Sequence, residues 1–524
     1  MCGFVFIHDQ KIATLDFKKA LNKIFHRGPD DVRVETLAKA HIGFSRLAIM
    51  DLTHSGDQPF IDQGVHVICN GEIYNYQAIK RDSSYAYKSE SDCEVLVDLF
   101  LSQGMPKLLA DIDGEYAFVI YDEGSDEVFA ARDPMGIRPL FYGHTESGKI
   151  CFASEVKALH EICETILPFP PGHYYERGEI KKFIDLGEVT EYQLDDLDEV
   201  YKNINKLLTQ GVVKRLNSDA PVGFLLSGGL DSSLVCAIAQ KHSQKPIRTF
   251  AIGMTGDAID LKYAKEVADH IGSDHTEVII TKEDVLSSLR DVIYHLETFD
   301  ITTVRASVGM YLVCKFIREK TDIKVLMTGE VSDEIFGYKY TDFAPSAAEF
   351  QKEAAKRVRE LYIYDVLRAD RCIAAHSLEA RVPFSDTDFV KYVMSIDPAK
   401  KMNVYGQGKY LLRKAFEGDY LPQSILYREK AAFSDAVGHS LVDYLKEYAE
   451  SLYTDSEYAA TIQRYTHATP FTKESLLYRQ IFEEFYPRRA KLIKDFWMPN
   501  KEWENCDVKD PSARVLPNYG ASGA

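Results

Sequence analysis

The stretch Leu226-Ser227-Gly228-Gly229-Leu230-Asp231-Ser232-Ser233 decides the fold of the second half of this 524-residue chain. It follows the apolar run 222–226, which is typical of a buried strand, and it leads into a helical run over residues 232–240. Two glycines let the backbone come close to an anion, and hydroxyls and helix N-terminal amides can then surround phosphate oxygens. The loop lacks the Lys of a Walker A motif. It therefore predicts a phosphate-binding loop, and the alternative is a tight turn capped by Ser and Asp.

Strands and helices alternate on both sides of this loop. Residues 201–216 predict a helix, and the apolar runs 247–252, 276–280 and 324–327 predict further strands. Such alternation is typical of a parallel sheet with helices on both faces, whose ligands bind at the carboxyl ends of the strands. The predicted fold of this half is a parallel α/β sheet to which the mostly helical residues 342–494 are added.

A second acidic loop follows the last of these strands. Its sequence is Thr328-Gly329-Glu330-Val331-Ser332-Asp333-Glu334, and it reaches the same edge of the sheet as the glycine-rich loop. Asp231 and Asp333 are therefore candidate Mg²⁺ ligands, and Glu330 is a candidate general base. The alternative is an ordinary helix start, where acidic residues are common.

The first third of the chain has a different pattern. Short apolar or alternating runs such as 2–7, 65–69 and 116–121 are separated by turn signals, and helical stretches cover 17–25 and 91–103. This arrangement predicts antiparallel sheets covered by helices, an α+β layer structure.

Composition excludes several classes of protein. The length suggests two to four domains, and the net charge of −18 argues against nucleic-acid or anionic-membrane binding. The nine cysteines form no CxxC pair, which favours reduced thiols in the cytoplasm. No signal peptide or membrane span is predicted. Residues 510–524 show little periodicity, which predicts a poorly ordered tail.

The amino terminus offers a nucleophile. If Met1 is removed, Cys2 carries a thiol and a free α-amine, which can act as its own base. Asn70 and Gly71, which follow an apolar run, are candidates for an oxyanion hole, and Arg46 could clamp a carboxylate. Asp92 could hold an ammonium group. Taken singly, Asn-Gly is more often a hairpin turn and Arg46 a surface ion pair.

Taken together and in order, these motifs resemble the glutamine-dependent asparagine synthetase family, most closely its bacterial type. The resemblance covers roughly residues 2–515. In the first half it rests on Cys2-Gly3-Phe4, His26-Arg27-Gly28-Pro29-Asp30, Ser45-Arg46-Leu47, Asn70-Gly71-Glu72-Ile73-Tyr74-Asn75 and Ser91-Asp92-Cys93-Glu94. In the second half it rests on the glycine-rich loop, Arg305-Ala306-Ser307, the acidic loop, Glu379-Ala380-Arg381-Val382-Pro383-Phe384, Lys430 and Phe433-Ser434-Asp435.

The resemblance implies two domains and a tail. Residues 2–190 would form a class II glutamine amidotransferase domain, an N-terminal-nucleophile αββα sandwich. Residues 196–500 would form an ATP-pyrophosphatase synthetase domain, and residues 501–524 a C-terminal tail. Ammonia released from glutamine would pass through the molecule to a β-aspartyl-AMP made from aspartate and ATP. The family also implies Mg²⁺, a homodimer and a cytoplasmic location.

The resemblance assigns roles residue by residue. Glutamine would be attacked by Cys2, with Asn70 and Gly71 as the oxyanion hole, and held by Arg46, Asn70, Gly71, Glu72 and Asp92. ATP and pyrophosphate would contact Leu226, Ser227, Gly228, Gly229, Asp231, Ser232, Ile252, Thr328, Gly329 and Lys430. Asp231 and Asp333 would bind Mg²⁺, and Glu330 would take a proton from ammonia. Thr303, Arg305 and Ser307 are candidates for the acceptor pocket.

Two departures from the family pattern concern the acidic loop. Val331 stands where the family has Gly, and a double glycine is reduced to Gly337. A valine is unfavourable where the backbone needs positive φ or must approach a phosphate closely. Two alternatives stay open. One is a related amidotransferase that acts on another carboxylate acceptor, or a lactam-forming relative, and the other, supported only by these departures, is a catalytically weakened binding or regulatory protein.

Overall fold

The computed structural model describes residues 1–255, 259–429 and 439–519. Its first half is built from short strands that are joined by turns and a few helices. In chain order these strands are β1 (Gly3–Ile7), β2 (Asp31–Thr36), β3 (His41–Arg46), β4 (Phe60–Asp62), β5 (Val65–Ile73), β6 (Gly114–Asp122), β7 (Glu127–Arg132), β8 (Phe141–His144), β9 (Ile150–Ala153), β10 (Ile166–Pro168), β11 (His173–Glu176) and β12 (Glu179–Lys182).

These strands form two antiparallel sheets. One has the order β10-β8-β9-β1-β3-β2 and the other the order β12-β11-β7-β6-β5-β4. In the register of the first sheet Val5 lies opposite Gly43 and Ala153, and in the second Asn70 lies opposite Ala117. The N-terminal strand therefore occupies the interior of a sheet, flanked by β3 and β9.

The alternation of β1 shows how the two sheets become layers. Phe4 and Phe6 pack with Ile68 and Val119 of the other sheet, in a cluster between the sheets. The intervening residues Val5 and Ile7 face the opposite way and pack against a helix, as a period of two requires. The outer face of the second sheet is covered by the helix Val95–Gln103 and its neighbour. The order of layers is therefore α-β-β-α, as predicted.

The second half contains a parallel sheet. Its strands are β13 (Val222–Leu225), β14 (Arg248–Met254), β15 (Asp274–Ile280), β16 (Val325–Met327) and β17 (Glu379–Arg381). Their order is β15-β14-β13-β16-β17, and every pairing is parallel. Two large apolar clusters cover the two faces of this sheet. The central position of β13 and β16 brings the glycine-rich and acidic loops to adjacent strand ends.

Helices surround both halves. Among the residues up to 190 the α-helices are Thr14–Asn22, Tyr76–Asp82, Val95–Gln103, Met105–Asp111 and Val156–Leu159. Beyond them the α-helices are Leu197–Arg215, Leu230–Lys241, Ile259–Ile271, Lys282–Leu296, Ile301–Lys320, Ser332–Phe336, Ala347–Glu360, Asp365–Ala374, Thr387–Ser395, Pro398–Lys401, Tyr410–Ala415, Gln423–Leu426, His439–Leu452, Asp455–Ile462 and Lys473–Phe485. Within the described residues, none of these helices is both long and apolar enough to cross a membrane.

The tail departs from its prediction. Leu516 is buried, and Asp510 forms an ion pair of 2.9 Å with the buried Arg305. The prediction of poor order is therefore wrong for residues 510–519, because tertiary contacts fix a segment that has no periodicity of its own. Residues 520–524 lie outside the described residues.

Candidate functional site

Cys2 immediately precedes β1, and its backbone is held by a buried arginine. Arg27 donates from Nε to the Cys2 carbonyl oxygen at 2.8 Å. The Cys2 thiol lies beside the residue that follows Arg46, since the Leu47 amide donates to Sγ at 3.4 Å. Burial raises the pKa of this thiol to about 11 while Met1 is present. A proton acceptor close to Sγ is therefore needed before the thiol can attack.

Met1 is completely buried, and its side chain belongs to the apolar cluster on one face of the parallel sheet. Its amino group donates to the Leu378 carbonyl oxygen at 2.9 Å. Burial lowers the pKa of that amino group to about 5. The amino terminus thus reaches from the sandwich into the second half of the molecule.

Asn70, Gly71 and Glu72 do not follow a strand, as the sequence suggested, but lie within β5. Antiparallel pairing with β6 continues to Ile73, so the Asn-Gly pair forms no hairpin turn. Gly71 is needed there because a Cβ would come within 2.3 Å of the Glu115 carbonyl oxygen. The strand therefore holds the two oxyanion-hole candidates rigidly.

The Asn70 side chain is fully buried, yet neither its amide nitrogen nor its amide oxygen has a hydrogen-bond partner among the described residues. A buried polar group without a partner is costly, and it is a common feature of a site that a ligand completes. This arrangement suits an amide that donates to a developing oxyanion.

The guanidinium of Arg46 is hydrogen-bonded to neighbouring residues and does not offer a pair of unused N–H groups to a ligand. Its Nη1 donates to the Thr53 carbonyl oxygen at 2.7 Å and to Asp57 Oδ1 at 2.5 Å. Its Nη2 donates to the carbonyl oxygens of Met50 and Asp51. All four N–H groups of the terminal nitrogens are therefore used within the protein, and a bidentate clamp on a ligand requires an exchange of partners.

Glu72 and Asp92 form a buried acidic pair. Burial raises the pKa of Asp92, and burial together with repulsion from Asp92 raises that of Glu72 well above its usual range. Ile73 donates its amide to Asp92 at 2.6 Å. Two buried carboxylates that are close together favour a cationic ligand such as an ammonium group.

One arginine connects this pair to the parallel sheet. Arg381 of β17 is fully buried, and its Nη2 lies 2.9 Å from a Glu72 carboxylate oxygen. The backbone carbonyl of Arg381 accepts a hydrogen bond from the Thr328 amide at 3.0 Å. In the sequence Arg381 is one residue of a longer motif, and its place between the two candidate sites depends on tertiary structure.

A cavity of about 290 Å³ lies at the carboxyl ends of β13 and β16. Its wall includes most of the residues predicted to bind ATP: Leu226, Ser227, Gly229, Asp231, Ser232, Ile252, Thr328 and Gly329. Gly228 has φ of +72° and packs instead against the helix Ile259–Ile271, where a Cβ would lie 2.6 Å from the Ala264 amide nitrogen. Lys430, Phe433, Ser434 and Asp435 lie outside the described residues.

The two predicted Mg²⁺ ligands converge on one point in this cavity. Lys409 Nζ lies 2.7 Å from Asp231 Oδ2 and 2.8 Å from Asp333 Oδ1. Because an ammonium group already lies between these carboxylates, their geometry fits a cation. Sequence analysis missed Lys409, and no local signal marks it.

Glu330 has one engaged and one open carboxylate oxygen. Its Oε1 lies 3.4 Å from Arg368 Nη2, whereas Oε2 is buried without a hydrogen-bond partner among the described residues. The side chain is 8% exposed and lines the cavity. The open oxygen can accept a proton from a group that enters the cavity.

The residues suggested for the acceptor pocket are used differently. Arg305 is buried in ion pairs with Glu474 and Asp510, so its guanidinium serves the structure. Asp300 caps the helix Ile301–Lys320 and accepts hydrogen bonds from Thr303, which also lines the cavity. Ser307 donates to the Thr303 carbonyl oxygen and does not line it. Arg305 also lines the cavity, but its charge is paired with Glu474 and Asp510.

Val331 adopts the conformation that glycine would favour. Its φ is +83°, and it caps the short helix Ser332–Phe336. Gly337 at the other end has φ of +110°. The unfavourable backbone conformation that the sequence suggested for this valine is therefore present, since a β-branched residue is strained in this region.

Two family models and many relatives match this chain. The family model of the glutamine amidotransferase domain matches residues 1–219, and that of asparagine synthase matches residues 203–347 and 342–508. A probable glutamine-hydrolysing asparagine synthetase of Acanthamoeba polyphaga mimivirus is 40% identical over 556 residues, covering 99% of this chain and 100% of the relative. The glutamine-hydrolysing asparagine synthetase of Homo sapiens is 41% identical over 539 residues and covers 95% of both chains. This chain belongs to the family of glutamine-hydrolysing asparagine synthetases.

Proposed function

We propose that this chain makes asparagine from aspartate, glutamine, ATP and water, and releases glutamate, AMP and pyrophosphate. Glutamine is hydrolysed in residues 2–190, and aspartate is activated in residues 196–500, with residues 501–524 as a tail. The observation that carries this proposal is Arg381, whose side chain contacts Glu72 and whose carbonyl accepts from Thr328. A single residue thus contacts both a glutamine-pocket candidate and a nucleotide-loop candidate.

Cys2 supplies the nucleophile once Met1 has been removed, because its α-amine can then accept the thiol proton. The sulfur attacks the side-chain amide carbon of glutamine, and the amide nitrogen leaves as ammonia when the thioester forms. Water then cleaves the thioester to give glutamate. The Asn70 side chain and the Gly71 amide stabilise the oxyanion in both steps, and the lack of a protein partner for Asn70 supports that role.

Glutamine is held at its two charged groups. Glu72 and Asp92 bind its ammonium, which their buried position favours. Its carboxylate binds Arg46 by displacing Asp57, which keeps contacts of 2.6 Å to Arg33 and 2.9 Å to His54. The displaced carboxylate therefore stays paired.

The phosphates of ATP bind the glycine-rich loop, and Asp231 and Asp333 hold Mg²⁺. When bound, the metal neutralises phosphate charge. The β-carboxylate of aspartate attacks the α-phosphorus, and pyrophosphate leaves. Ammonia then attacks the activated carbonyl carbon, Glu330 takes a proton from the nitrogen, and AMP leaves with the electron pair of the broken acyl bond. Lys430 is proposed, from the family resemblance, to neutralise the phosphates.

Ammonia must travel in its neutral form, because ammonium is not a nucleophile. The buried position of Met1 supports a direct route: removal of this residue leaves space between Cys2 and the apolar cluster of the second half. An apolar passage disfavours protonation of ammonia.

We further propose that the enzyme works in the cytoplasm as a homodimer, without a nucleic-acid or membrane partner. Nine free cysteines support the cytoplasmic location. The net charge of −18 supports the absence of a nucleic-acid or membrane partner. The homodimer rests on family resemblance alone.

The substitution Cys2→Ala tests whether glutamine hydrolysis and asparagine formation take place at separate sites. We expect it to abolish asparagine formation from glutamine and to leave formation from ammonium salts intact, measured as asparagine and AMP. Cys163→Ala is the control, since that thiol is buried on the far side of the first sheet. Loss of both routes in a folded Cys2→Ala enzyme would contradict the two-site proposal.

A further inference from the structure

Lys409 is the feature of the nucleotide cavity that the proposed mechanism does not yet use. Besides its contacts to Asp231 and Asp333, its ammonium lies 3.0 Å from Ser332 Oγ, and that hydroxyl donates to Asp231 Oδ1 at 2.7 Å. The side chain of Lys409 is only 5% exposed. The ammonium thus occupies the point on which two carboxylates and a hydroxyl converge.

The backbone at Lys409 is specialised. Its φ is +56°, and it immediately precedes the helix Tyr410–Ala415. Arg413 of that helix donates to the Gly408 carbonyl oxygen at 2.8 Å and fixes the residue before Lys409. A left-handed conformation is unfavourable for lysine, and the side-chain contacts of Lys409 offset that cost.

An ammonium group and Mg²⁺ cannot share this position. Mg²⁺ binds carboxylate oxygens at about 2.0–2.1 Å. A metal bound by the Asp231 and Asp333 oxygens that contact Lys409 would therefore lie too close to the Lys409 nitrogen for both cations to stay. Two cations at that distance repel strongly in a partly buried site. Entry of the metal therefore requires Lys409 to leave.

We propose that Lys409 is a positioning residue that acts as the counter-charge of Asp231 and Asp333 before the nucleotide binds, and that it moves onto the phosphates when Mg²⁺·ATP enters. This inference rests on the proposed ATP and Mg²⁺ chemistry. A polyphosphate gives the displaced ammonium new acceptors, whereas Mg²⁺ alone gives it none. The metal is therefore bound weakly without nucleotide and firmly with it.

The destination of the ammonium is present in the same cavity. Arg413 and Arg428 also line it, and Arg428 donates to the Gly228 carbonyl oxygen at 3.1 Å. These cations mark the side of the cavity that favours an anion. In this shift, the Lys409 ammonium exchanges the two carboxylates for phosphate oxygens in the same cavity.

Binding of Mn²⁺, used as a spectroscopic substitute for Mg²⁺, tests this exchange. Electron paramagnetic resonance of the full-length enzyme, without nucleotide, reports free and bound Mn²⁺ directly. We expect Lys409→Met to bind Mn²⁺ at least about tenfold more tightly than the unmodified enzyme, because no resident cation competes. For Mn²⁺·ATP, the same variant should show a smaller gain in affinity than it shows for free Mn²⁺, or a loss of affinity.

Lys414→Met is the matched control, since Lys414 belongs to the same helix but pairs with Glu417 at the surface. It should leave Mn²⁺ binding unchanged. Lys409→Arg keeps a cation and should bind free Mn²⁺ weakly, which provides a second variant if Lys409→Met fails to fold. A folded Lys409→Met enzyme whose affinity for free Mn²⁺ is unchanged or lower overturns the inference.

Asp231→Asn separates this inference from the proposed function. If Mn²⁺·ATP binding depends on Asp231 but free Mn²⁺ binding is insensitive to Lys409, only the exchange is wrong. If Mn²⁺·ATP binding is also insensitive to Asp231, the proposed metal site itself is wrong.

Discussion

The two candidate sites of this molecule differ in how their polar side chains are partnered. In the sandwich, Asn70 lies within a strand and has no hydrogen-bond partner among the described residues, while Glu72 and Asp92 have pKa values that burial has raised. At the parallel sheet, Asp231 and Asp333 lie in the first turns of helices that follow strands, and both are paired with Lys409. The Asn70 amide can therefore gain its missing partner from a ligand, whereas Asp231 and Asp333, like Arg46 in the sandwich, must exchange partners that they already have.

The largest effect is expected at Asn70. Replacing Asn70 by Ala removes one donor to the oxyanion, which lowers kcat for glutamine hydrolysis by about 10²–10³. The ammonia route should keep its rate, because Asn70 does not line the nucleotide cavity. Both rates are measured on one preparation, with glutamate and asparagine as the products.

The exposed Gln77 provides the control nearby, since its side-chain amide donates a hydrogen bond to the neighbouring Tyr76 hydroxyl and lies outside the proposed site. Gln77→Ala should leave both routes unchanged. An Asn70→Ala enzyme with an unchanged glutaminase rate would show that this amide is not the oxyanion donor.

The buried carboxyl groups of Glu72 and Asp92 should make the use of glutamine depend on pH. Because the pKa values of Glu72 and Asp92 are raised, chiefly by burial, these carboxylates begin to take up protons at a higher pH than ordinary side chains do. A protonated pair binds the glutamine ammonium poorly, so kcat/KM for glutamine should fall on acidification, approaching about tenfold per pH unit. The ammonia route, normalised to free ammonia, should not show this limb.

Asp92→Asn identifies the groups responsible. Loss of the Asp92 charge removes repulsion that raises the pKa of Glu72, so the acidic limb should move to lower pH while kcat/KM falls overall. The profile of glutamine hydrolysis over about pH 5.5–8.5 measures this shift. A limb that stays in place would assign it to another group, such as the Cys2 amine.

The sequence was most informative where local structure fixes a function. The glycine-rich loop was predicted correctly as a strand–loop–helix unit because the apolar strand, the glycines and the helix start are all local signals. The short strand β17 was missed, since the three residues Glu379–Arg381 carry no strand pattern and are held only by their neighbours. Local patterns cannot report pairing that is imposed from elsewhere in the chain.

The same limit applies to the sites. Arg46 was predicted as a carboxylate clamp, but the hydrogen bonds that saturate its guanidinium depend on where the carbonyl groups of residues 50–53 point. Lys409 comes from a distant helix start, so its place between Asp231 and Asp333 could not be predicted. Charges that meet in three dimensions leave no trace in spacing.

The smallest expected effect concerns the strained residue of the nucleotide site. Val331 is buried in the same apolar cluster as Val366, but only Val331 has positive φ. At an ordinary helical position such as Val366, the Gly variant is less stable than the Ala variant by about 1 kcal/mol. At Val331 the order should reverse, because Ala keeps the strain of about 1–3 kcal/mol and Gly relieves it.

Relief of strain at Val331 is offset by lost packing, so Val331→Gly should lie within about 1 kcal/mol of the unmodified protein. Val331→Ala loses the same packing without the relief and should be less stable than Val331→Gly by about 1 kcal/mol. Urea unfolding of the Gly and Ala variants at both positions measures this difference directly. The same order of stability at Val331 as at Val366 would mean that the acidic loop bears no strain, and that valine is accommodated there as readily as in a helix. In that case any weakness in the grip on pyrophosphate must come from the missing glycine after Gly337.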